Sequence, residues 1–152
     1  MNAIVEAIKS NCNVYACTKG LSMLPFIRNG NQVIIQPICA GAVRRGDIVA
    51  YTNKGVDQII CHRILIKQGD AFIIKGDACI GGQERIPAEN VLGKVICIQK
   101  GRRIINLETR FHNFLAPWIA CASEHLPLFI FTVGYMMEVF RNPRVFTFKL
   151  VY

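Results

Sequence analysis

The chain has 152 residues with a formal net charge of +8, and 52% of them are hydrophobic while only 18% are charged. This length fits one domain with a substantial core, and the high hydrophobic content combined with the low charged fraction disfavours an intrinsically disordered chain. The surplus Lys and Arg residues occur as scattered pairs beside glycines, without a basic stripe interleaved with aromatics, so nucleic acid is not an expected partner.

The seven cysteines argue against a disulfide framework and against a zinc site. Their number is odd, and the sequence lacks the Cys-x-x-Cys pairs that structural zinc sites use. We therefore interpret most of them as buried thiols that pack as small hydrophobic residues, which favours a reducing compartment. No cofactor and no metal ion is expected.

The first third of the chain predicts a short helix followed by strands. Residues 1–10 have the apolar spacing of a short amphipathic helix and lack the features of a secretory signal. Val14–Cys17 predicts a short strand, and the apolar runs Val33–Ile35 and Asp47–Tyr51 predict two more.

The middle of the chain predicts a hairpin and two further strands. Ile59–Ile66 and Ala71–Ile74 are separated by the turn Gly69–Asp70, which is typical of a β-hairpin. Val91–Gln99 and Ile104–Leu107 follow, with another glycine turn between them. Short, closely spaced strands with glycine-containing turns predict a mainly β domain built from a coiled, barrel-like sheet.

The composition changes near residue 110, so we place the β domain at 1–110 and a hydrophobic, helical segment at 111–152. Phe114–Met137 is long enough for a membrane span, but Glu124 near its middle and two prolines oppose one. The alternatives are two short helices packed on the β domain and a helix lying in the membrane interface. We expect the segment to associate the protein with a membrane. If it spans, its C-terminal end is cytoplasmic because basic residues follow, namely Arg141, Arg144 and Lys149.

Three residues have the side chains that serine-based catalysis uses. Ser22 lies in a loop between glycine and proline, His62 on a predicted strand, and Asp77 just after the partner strand of the same hairpin. A serine hydroxyl needs a base to remove its proton, histidine is the usual base, and a carboxylate often orients it. Alone, each residue is more typical of a turn or a structural strand position. The hairpin can bring His62 and Asp77 together, and a closed sheet can bring both to Ser22.

Four short motifs containing these residues occur in the order found in one peptidase superfamily. The set resembles signal peptidase I and the LexA-type proteases, the S24/S26 serine peptidases, over the stretch from Thr18 to Val95. The His-Arg pair is similar to the archaeal and endoplasmic-reticulum type, in which histidine replaces the lysine base. The matching strings are Ser22-Met23-x-Pro25, Gly46-Asp47-Ile48-Val49, His62-Arg63 and Lys75-Gly76-Asp77.

The resemblance implies a coiled-sheet serine endopeptidase of the signal peptidase I type, with Ser22 as nucleophile and His62 as general base. Asp77 is the residue expected to orient His62, and Glu84 is the alternative for that role. The implied substrate is a signal or leader peptide of a precursor, bound as an extended strand and cut after a small residue. Gly20 stands where the family often has a hydroxyl residue, so oxyanion stabilisation would depend on backbone N–H groups such as that of Ser22.

Two other functions stay open as alternatives. A LexA-like regulatory protease that cuts its own chain fits the superfamily, but no DNA-binding domain is visible, and neither Lys67 nor Lys75 matches the lysine base. A non-catalytic relative that binds peptides in the same groove fits the missing hydroxyl at Gly20. The absence of an N-terminal anchor favours a specialised precursor over general secretion. The cysteines favour a reducing, cytoplasmic side of the membrane, whereas the resemblance implies the outer face.

Overall fold

A computed structural model describes residues 2–53 and 56–141 and gives the chain a mainly β fold. The described residues form one antiparallel sheet of eight strands, with a short helix before it and two helices after it. The helices are α1 (Asn2–Lys9), α2 (Arg110–His125) and α3 (Pro127–Arg141). The strands are β1 (Val14–Cys17), β2 (Gln32–Pro37), β3 (Ile48–Asn53), β4 (Val56–Gln68), β5 (Ala71–Lys75), β6 (Glu84–Pro87), β7 (Val91–Lys100) and β8 (Arg103–Asn106). Residues 142–152, with Arg144 and Lys149, lie outside the described residues.

The strands follow the order β1-β2-β7-β3-β4-β5-β6, and all neighbouring pairs are antiparallel. β7 lies between β2 and β3, and its C-terminal end forms a hairpin with β8. Within the described part of the chain the sheet is not closed, because β1 pairs only with β2 and β6 only with β5. The mainly β prediction is confirmed, but among the described residues β1, β6 and β8 each have one unpaired edge, where a closed barrel would have none.

The central strands are buried on both faces, and each face has its own apolar cluster. Along β3, Ile48 and Ala50 belong to one cluster and Val49 and Tyr51 to the other, because side chains alternate across a strand. The first cluster also takes residues from α1 and from the loop before β2, whereas the second extends over β4, β5 and β6. Burial on both faces explains why the sequence shows continuous apolar runs here rather than alternating ones.

Most predicted elements form where the sequence places them. The N-terminal helix and seven of the strands correspond to predicted segments, and the Gly69–Asp70 turn connects β4 to β5 as expected. β6 is the strand that the sequence pattern does not predict. Its sequence, Glu-Arg-Ile-Pro, has one buried residue, Ile86, and ends in proline. A strand of this composition forms at a sheet edge, where it needs only β5 as a partner.

The apolar C-terminal segment forms α2 and α3, which pack on the β domain. Gly46 (φ 91°) lies so close to Ala116 of α2 that a Cβ on this glycine would overlap the helix backbone. Gly134 of α3 also lies close to Leu24, at 2.9 Å between an added Cβ and the Leu24 Cβ. The side of α2 that faces the β domain consists of small residues, namely Ala116, Ala120 and Ser123. Of the alternatives considered above, two short packed helices are what forms.

No single helix within residues 2–53 and 56–141 has the length and apolar character needed to cross a bilayer. Taken together, α2 and α3 would pass that test by length and composition, but their axes are bent by 103° at the break between them. The helix pair is therefore weak support for membrane association.

The seven cysteines all lie within the described residues and are free thiols. Cys12, Cys17 and Cys39 are exposed, and the other four are only partly buried, so the expectation that most are buried is wrong. The exposed three lie in the turn after α1, at the end of the edge strand β1 and in the loop after β2, where neighbouring elements cover only one side of the chain.

Candidate active site

Ser22 lies on the loop between β1 and β2, and hydrophobic side chains hold that loop against the sheet. The chain enters the loop through Gly20, whose φ of 97° is a conformation that glycine adopts without strain. Met23, Leu24 and Ile27 are buried, and the first and last of these join the core cluster on this face. Ser22 itself is half-buried and lines a cavity, so the loop presents it on a fixed support.

A second contact joins Ser22 to the turn that follows β5. The Ala78 N–H donates to the Ser22 carbonyl oxygen at 2.8 Å. A Cβ added to Gly76 would come within 2.8 Å of the same oxygen and 3.0 Å of the Ser22 Cβ. Because this backbone leaves no space for a side chain, the position requires glycine. The Ser22 motif and the Lys75-Gly76-Asp77 motif are therefore in direct contact.

His62 lies on β4 at 7% exposure, and a hydrogen-bond chain connects it to a carboxylate. Its Nδ1 is 3.1 Å from the Tyr51 hydroxyl oxygen, and that hydroxyl donates to Glu84 Oε2 at 3.0 Å. A tyrosine hydroxyl has one proton, so with this proton directed to Glu84 its oxygen accepts from Nδ1–H. Nε2 then has no proton, which is the form that a general base needs.

Burial determines the protonation of this chain of groups. It lowers the pKa of His62 below the ordinary value of 6.5, while the negative charges of Glu84 and Asp77 oppose the shift. Burial also raises the pKa of Tyr51, and the neighbouring Glu84 raises it further, so the hydroxyl keeps its proton. At neutral pH, His62 is therefore uncharged and Tyr51 is available as a donor.

Asp77 is fully buried, and both of its carboxylate oxygens bind Arg63. They accept from Arg63 Nε at 2.8 Å and from Nη2 at 2.7 Å, which makes a bidentate ion pair. Arg63 Nη1 also donates to the Gly46 carbonyl oxygen at 2.7 Å, so the pair joins three of the four motifs. Asp77 thus influences His62 through its charge, whereas Glu84 is the carboxylate that hydrogen bonds connect to the imidazole.

The β4–β5 ladder brings the Ser22 loop beside His62. Arg63 pairs with Lys75 in this ladder, so continuing the antiparallel register sets Gly76 across from His62. Residues opposite one another in such a ladder have Cα atoms about 5 Å apart. Among the hydrogen bonds of the described residues, none joins Ser22 Oγ to His62. Bonds between catalytic groups are often long before substrate binds, so the lack of a Ser22–His62 bond is compatible with a Ser-His pair, although His62 is not among the residues that line the cavity containing Ser22.

A cavity of about 650 Å³ opens beside Ser22. The end of β1 and residues 18–20 form one wall, and residues 58–61 of β4 form another, with apolar side chains such as Val33 and Ile35 completing the lining. In the part of the chain that the structure describes, β1 pairs only with β2, and residues 58–61 pair only with β3. An extended peptide can add backbone hydrogen bonds to strand edges of this kind.

Tyr51 is the site residue that the sequence analysis does not single out. Val49 pairs with His62 and Tyr51 with Ile60, so Tyr51 and His62 are diagonal neighbours on one face of the sheet. The signal available in the sequence is weak: a tyrosine follows three aliphatic residues of a strand, and a buried hydroxyl needs a partner. Its partner becomes visible only once the register of β3 and β4 is known.

Comparison with known proteins adds no relative to this description. No protein-family model matches the chain, and no curated protein matches its sequence. A functional assignment therefore depends on the four short motifs and on the contacts among Ser22, His62, Tyr51, Glu84 and Asp77.

Proposed function

We propose that the protein is a serine endopeptidase of the signal peptidase I type, with Ser22 as nucleophile and His62 as general base. The observation that carries this proposal is the chain from Glu84 through Tyr51 to a buried His62 on β4, the strand whose partner β5 leads into the turn that contacts Ser22. That chain leaves Nε2 unprotonated, which is the form that can accept a proton from a serine hydroxyl. The proposal includes the coiled-sheet peptidase fold implied by the motifs.

The chemistry is that of a two-step acyl transfer. His62 Nε2 removes the proton from Ser22 Oγ as this oxygen attacks the scissile carbonyl carbon. The same nitrogen then donates that proton to the leaving amine as the peptide bond breaks, which leaves an acyl group on Ser22. Water attacks the ester in the second step, with His62 taking a proton from the water and returning it to Ser22 Oγ. Ser22 and His62 end each cycle as they began.

Tyr51 and Glu84 take the orienting role in this proposal. When His62 receives the serine proton it becomes positively charged. The negative charge of Glu84 raises the pKa of His62 and so favours this charged form. The Tyr51 hydroxyl transmits the orientation, because it accepts from Nδ1–H while donating to Glu84. Asp77, the residue that the motif implies for this role, contributes charge at a distance and holds Arg63.

Backbone N–H groups are the proposed oxyanion donors. Gly20 offers no hydroxyl, and within the described residues the Ser22 N–H donates to no acceptor, so it is free to bind the developing negative charge. The two strand edges that flank the cavity support an extended substrate, and the proposed substrate is a signal or leader peptide with a small residue before the cut. The proposal also places the protein at a membrane, through α2 and α3.

One observation favours a second candidate, a non-catalytic protein that binds extended peptides. The cavity and its strand edges suit peptide binding, and no hydrogen bond joins Ser22 to His62 within the described residues. A single experiment separates the two functions, and it also detects a protease that cuts its own chain.

The test is cleavage of a panel of precursor peptides with Ala-x-Ala sites, read by mass spectrometry, with the wild type, Ser22→Ala and Ser10→Ala. Ser10 is an exposed serine after α1 and serves as the matched control. We expect the wild type and Ser10→Ala to cut the same bond, and Ser22→Ala to cut none. Peptides that bind but stay intact would assign the non-catalytic function. Shortening of the protein itself, absent in Ser22→Ala, would assign self-cleavage.

A further inference from the structure

Helices α2 and α3 present large apolar side chains to solvent on the side that faces away from the β domain. Phe111 is 73% exposed, Trp118 66% and Phe140 80%, which is unusual for helices packed on a sheet. We call this surface the aromatic face. It consists of Phe111, Phe114 and Trp118 on α2 and of Phe129, Val133, Met136 and Phe140 on α3.

The spacing of these residues shows that the aromatic face is a continuous stripe on each helix. On α2 they recur at intervals of three and four residues, and on α3 at four, three and four, which is the period of one helix side. The opposite sides are packed against the β domain, through Ala116 on α2 and Gly134 on α3. Because these inner contacts fix the rotation of both helices, the aromatic side chains cannot turn inward.

The charges of the two helices are sorted in the same way. Glu124 and Glu138 are their acidic residues, and each pairs with an arginine of the β domain, Arg45 at 3.6 Å and Arg28 at 3.5 Å. The aromatic face therefore carries no carboxylate. Exposed arginines stand at its ends, Arg110 opening α2 and Arg141 closing α3, on a chain with a net charge of +8.

We propose that the aromatic face binds the surface of an anionic bilayer, with both helices lying in the interface rather than crossing it. Aromatic side chains on the surface of a positively charged protein suit the boundary between acyl chains and negatively charged headgroups. A crossing orientation would require α2 and α3 to leave the sheet, and their 103° bend already turns the pair away from a straight span. The basic charge favours lipid over a second copy of the chain, which would bring like charges together.

This orientation has a consequence for the site, and that consequence depends on the function proposed above. Gly134 of α3 touches Leu24 and Pro25, which closely follow Ser22, and Lys75 Nζ donates to the Ser123 carbonyl oxygen of α2 at 2.8 Å. A helix is about 10 Å thick, so the docked helices would hold the Ser22 loop close to the headgroups. The preferred substrate would then be a precursor whose scissile bond lies at the membrane surface.

The binding test uses Trp118, which is the single tryptophan of the chain. The full chain is mixed with vesicles of neutral lipid, or of neutral lipid with an anionic lipid, and binding is measured by sedimentation. We expect binding to the anionic vesicles, a shift of Trp118 emission to shorter wavelength and quenching by brominated acyl chains. Raising the salt concentration should weaken the binding. Equal binding to neutral vesicles, or bound protein with unshifted emission, would overturn the proposal.

Variants locate the binding surface. Phe114→Glu with Phe129→Glu should reduce vesicle binding at least tenfold, whereas Tyr15→Glu with Ile104→Glu, at equally exposed positions on the sheet, should not. Circular dichroism checks that each variant folds. If a variant does not fold, the emission shift of Trp118 in the wild type still tests whether the aromatic face enters the bilayer. A dimer in which Trp118 is buried and which does not bind vesicles would overturn the proposal and show that the aromatic face binds a second copy of the chain. Ser22→Ala should bind like the wild type, so loss of cleavage and loss of lipid binding are separate results.

Discussion

At the scale of single residues, the two carboxylates near His62 have different contacts and different expected roles. Glu84 reaches the imidazole through the Tyr51 hydroxyl, whereas Asp77 uses both oxygens on Arg63. The first arrangement selects a tautomer, and the second neutralises a buried cation. Substitutions at these positions should therefore change different measurable quantities.

Removing the Tyr51 hydroxyl tests the first role. In Tyr51→Phe, His62 loses the acceptor that fixes its tautomer, so we expect kcat to fall by about 10- to 100-fold with little change in KM. Glu84→Gln should have a similar effect, and the double variant should be no worse than either single one, because both act through the same chain. Tyr15→Phe, at an exposed tyrosine of β1, is the control. Unchanged kcat in Tyr51→Phe would remove Tyr51 from the mechanism.

The pH dependence of cleavage tests the base. Burial lowers the pKa of His62 below 6.5, so the uncharged, proton-accepting form persists into mildly acidic solution. We expect kcat/KM to rise with pH through an apparent pKa below 6.5 and then to stay level through neutrality. A rise that begins only above about pH 8 would indicate a lysine base, with the buried Lys75 as the first candidate.

The Arg63–Asp77 pair should be important for stability. Arg63 is 1% exposed and Asp77 is fully buried, so Asp77→Ala leaves a buried cation without its partner. We expect a loss of about 3–5 kcal/mol in the free energy of unfolding, measured by urea denaturation. Asp70→Ala, in the exposed turn between β4 and β5, should be nearly neutral. A stable Asp77→Ala protein with a much lower kcat would instead restore Asp77 as the residue that orients His62.

At the scale of elements, the strands follow from local patterns but the site does not. The β4–β5 hairpin is readable because its turn and both apolar runs are adjacent in the sequence. The sequence does not predict β6, because this strand depends on β5 for its pairing. It also does not predict the free edges of the sheet, because these depend on where strands that are distant in the sequence end. Tyr51 meets His62 only through the β3–β4 register, and the partner of Asp77 is the residue next to the predicted one. The Ser22 and His62 assignments stay predictions.

The contact between the Ser22 loop and the turn after β5 gives a prediction about packing. In Gly76→Ala, the new methyl group would overlap the Ser22 carbonyl oxygen, so the loop must move. We expect the free energy of unfolding to fall by about 1–3 kcal/mol. We also expect kcat/KM to fall at low temperature, where the variant is still folded, so that unfolding does not account for the lower activity. Gly81→Ala, where no atom lies within 4 Å of the added carbon, should change neither. Equal behaviour of the two variants would show that the site tolerates displacement of Ser22.

At the scale of the whole molecule, α3 links the aromatic face to the cavity, because Gly134 of this helix lies against Leu24 and Pro25 of the loop that presents Ser22. Binding to a bilayer would then concentrate the protein where membrane-bound precursors are, and a shared surface raises the effective concentration of a substrate without any new contact. A soluble peptide gains nothing from this arrangement. The two kinds of substrate should therefore respond differently to vesicles.

Comparing a precursor peptide with and without an attached acyl chain measures this difference. On anionic vesicles we expect the acylated peptide to be cut at least tenfold faster than the soluble one, and equally fast in the absence of vesicles once detergent disperses it. Phe114→Glu with Phe129→Glu should lose the vesicle-dependent gain while keeping the rate on the soluble peptide, because these side chains point away from the β domain. A gain that survives in this variant would mean that another surface brings the protein to the membrane. A loss of both rates would mean that the substituted helices no longer support the Ser22 loop, and the milder Phe111→Ser would then separate docking from folding.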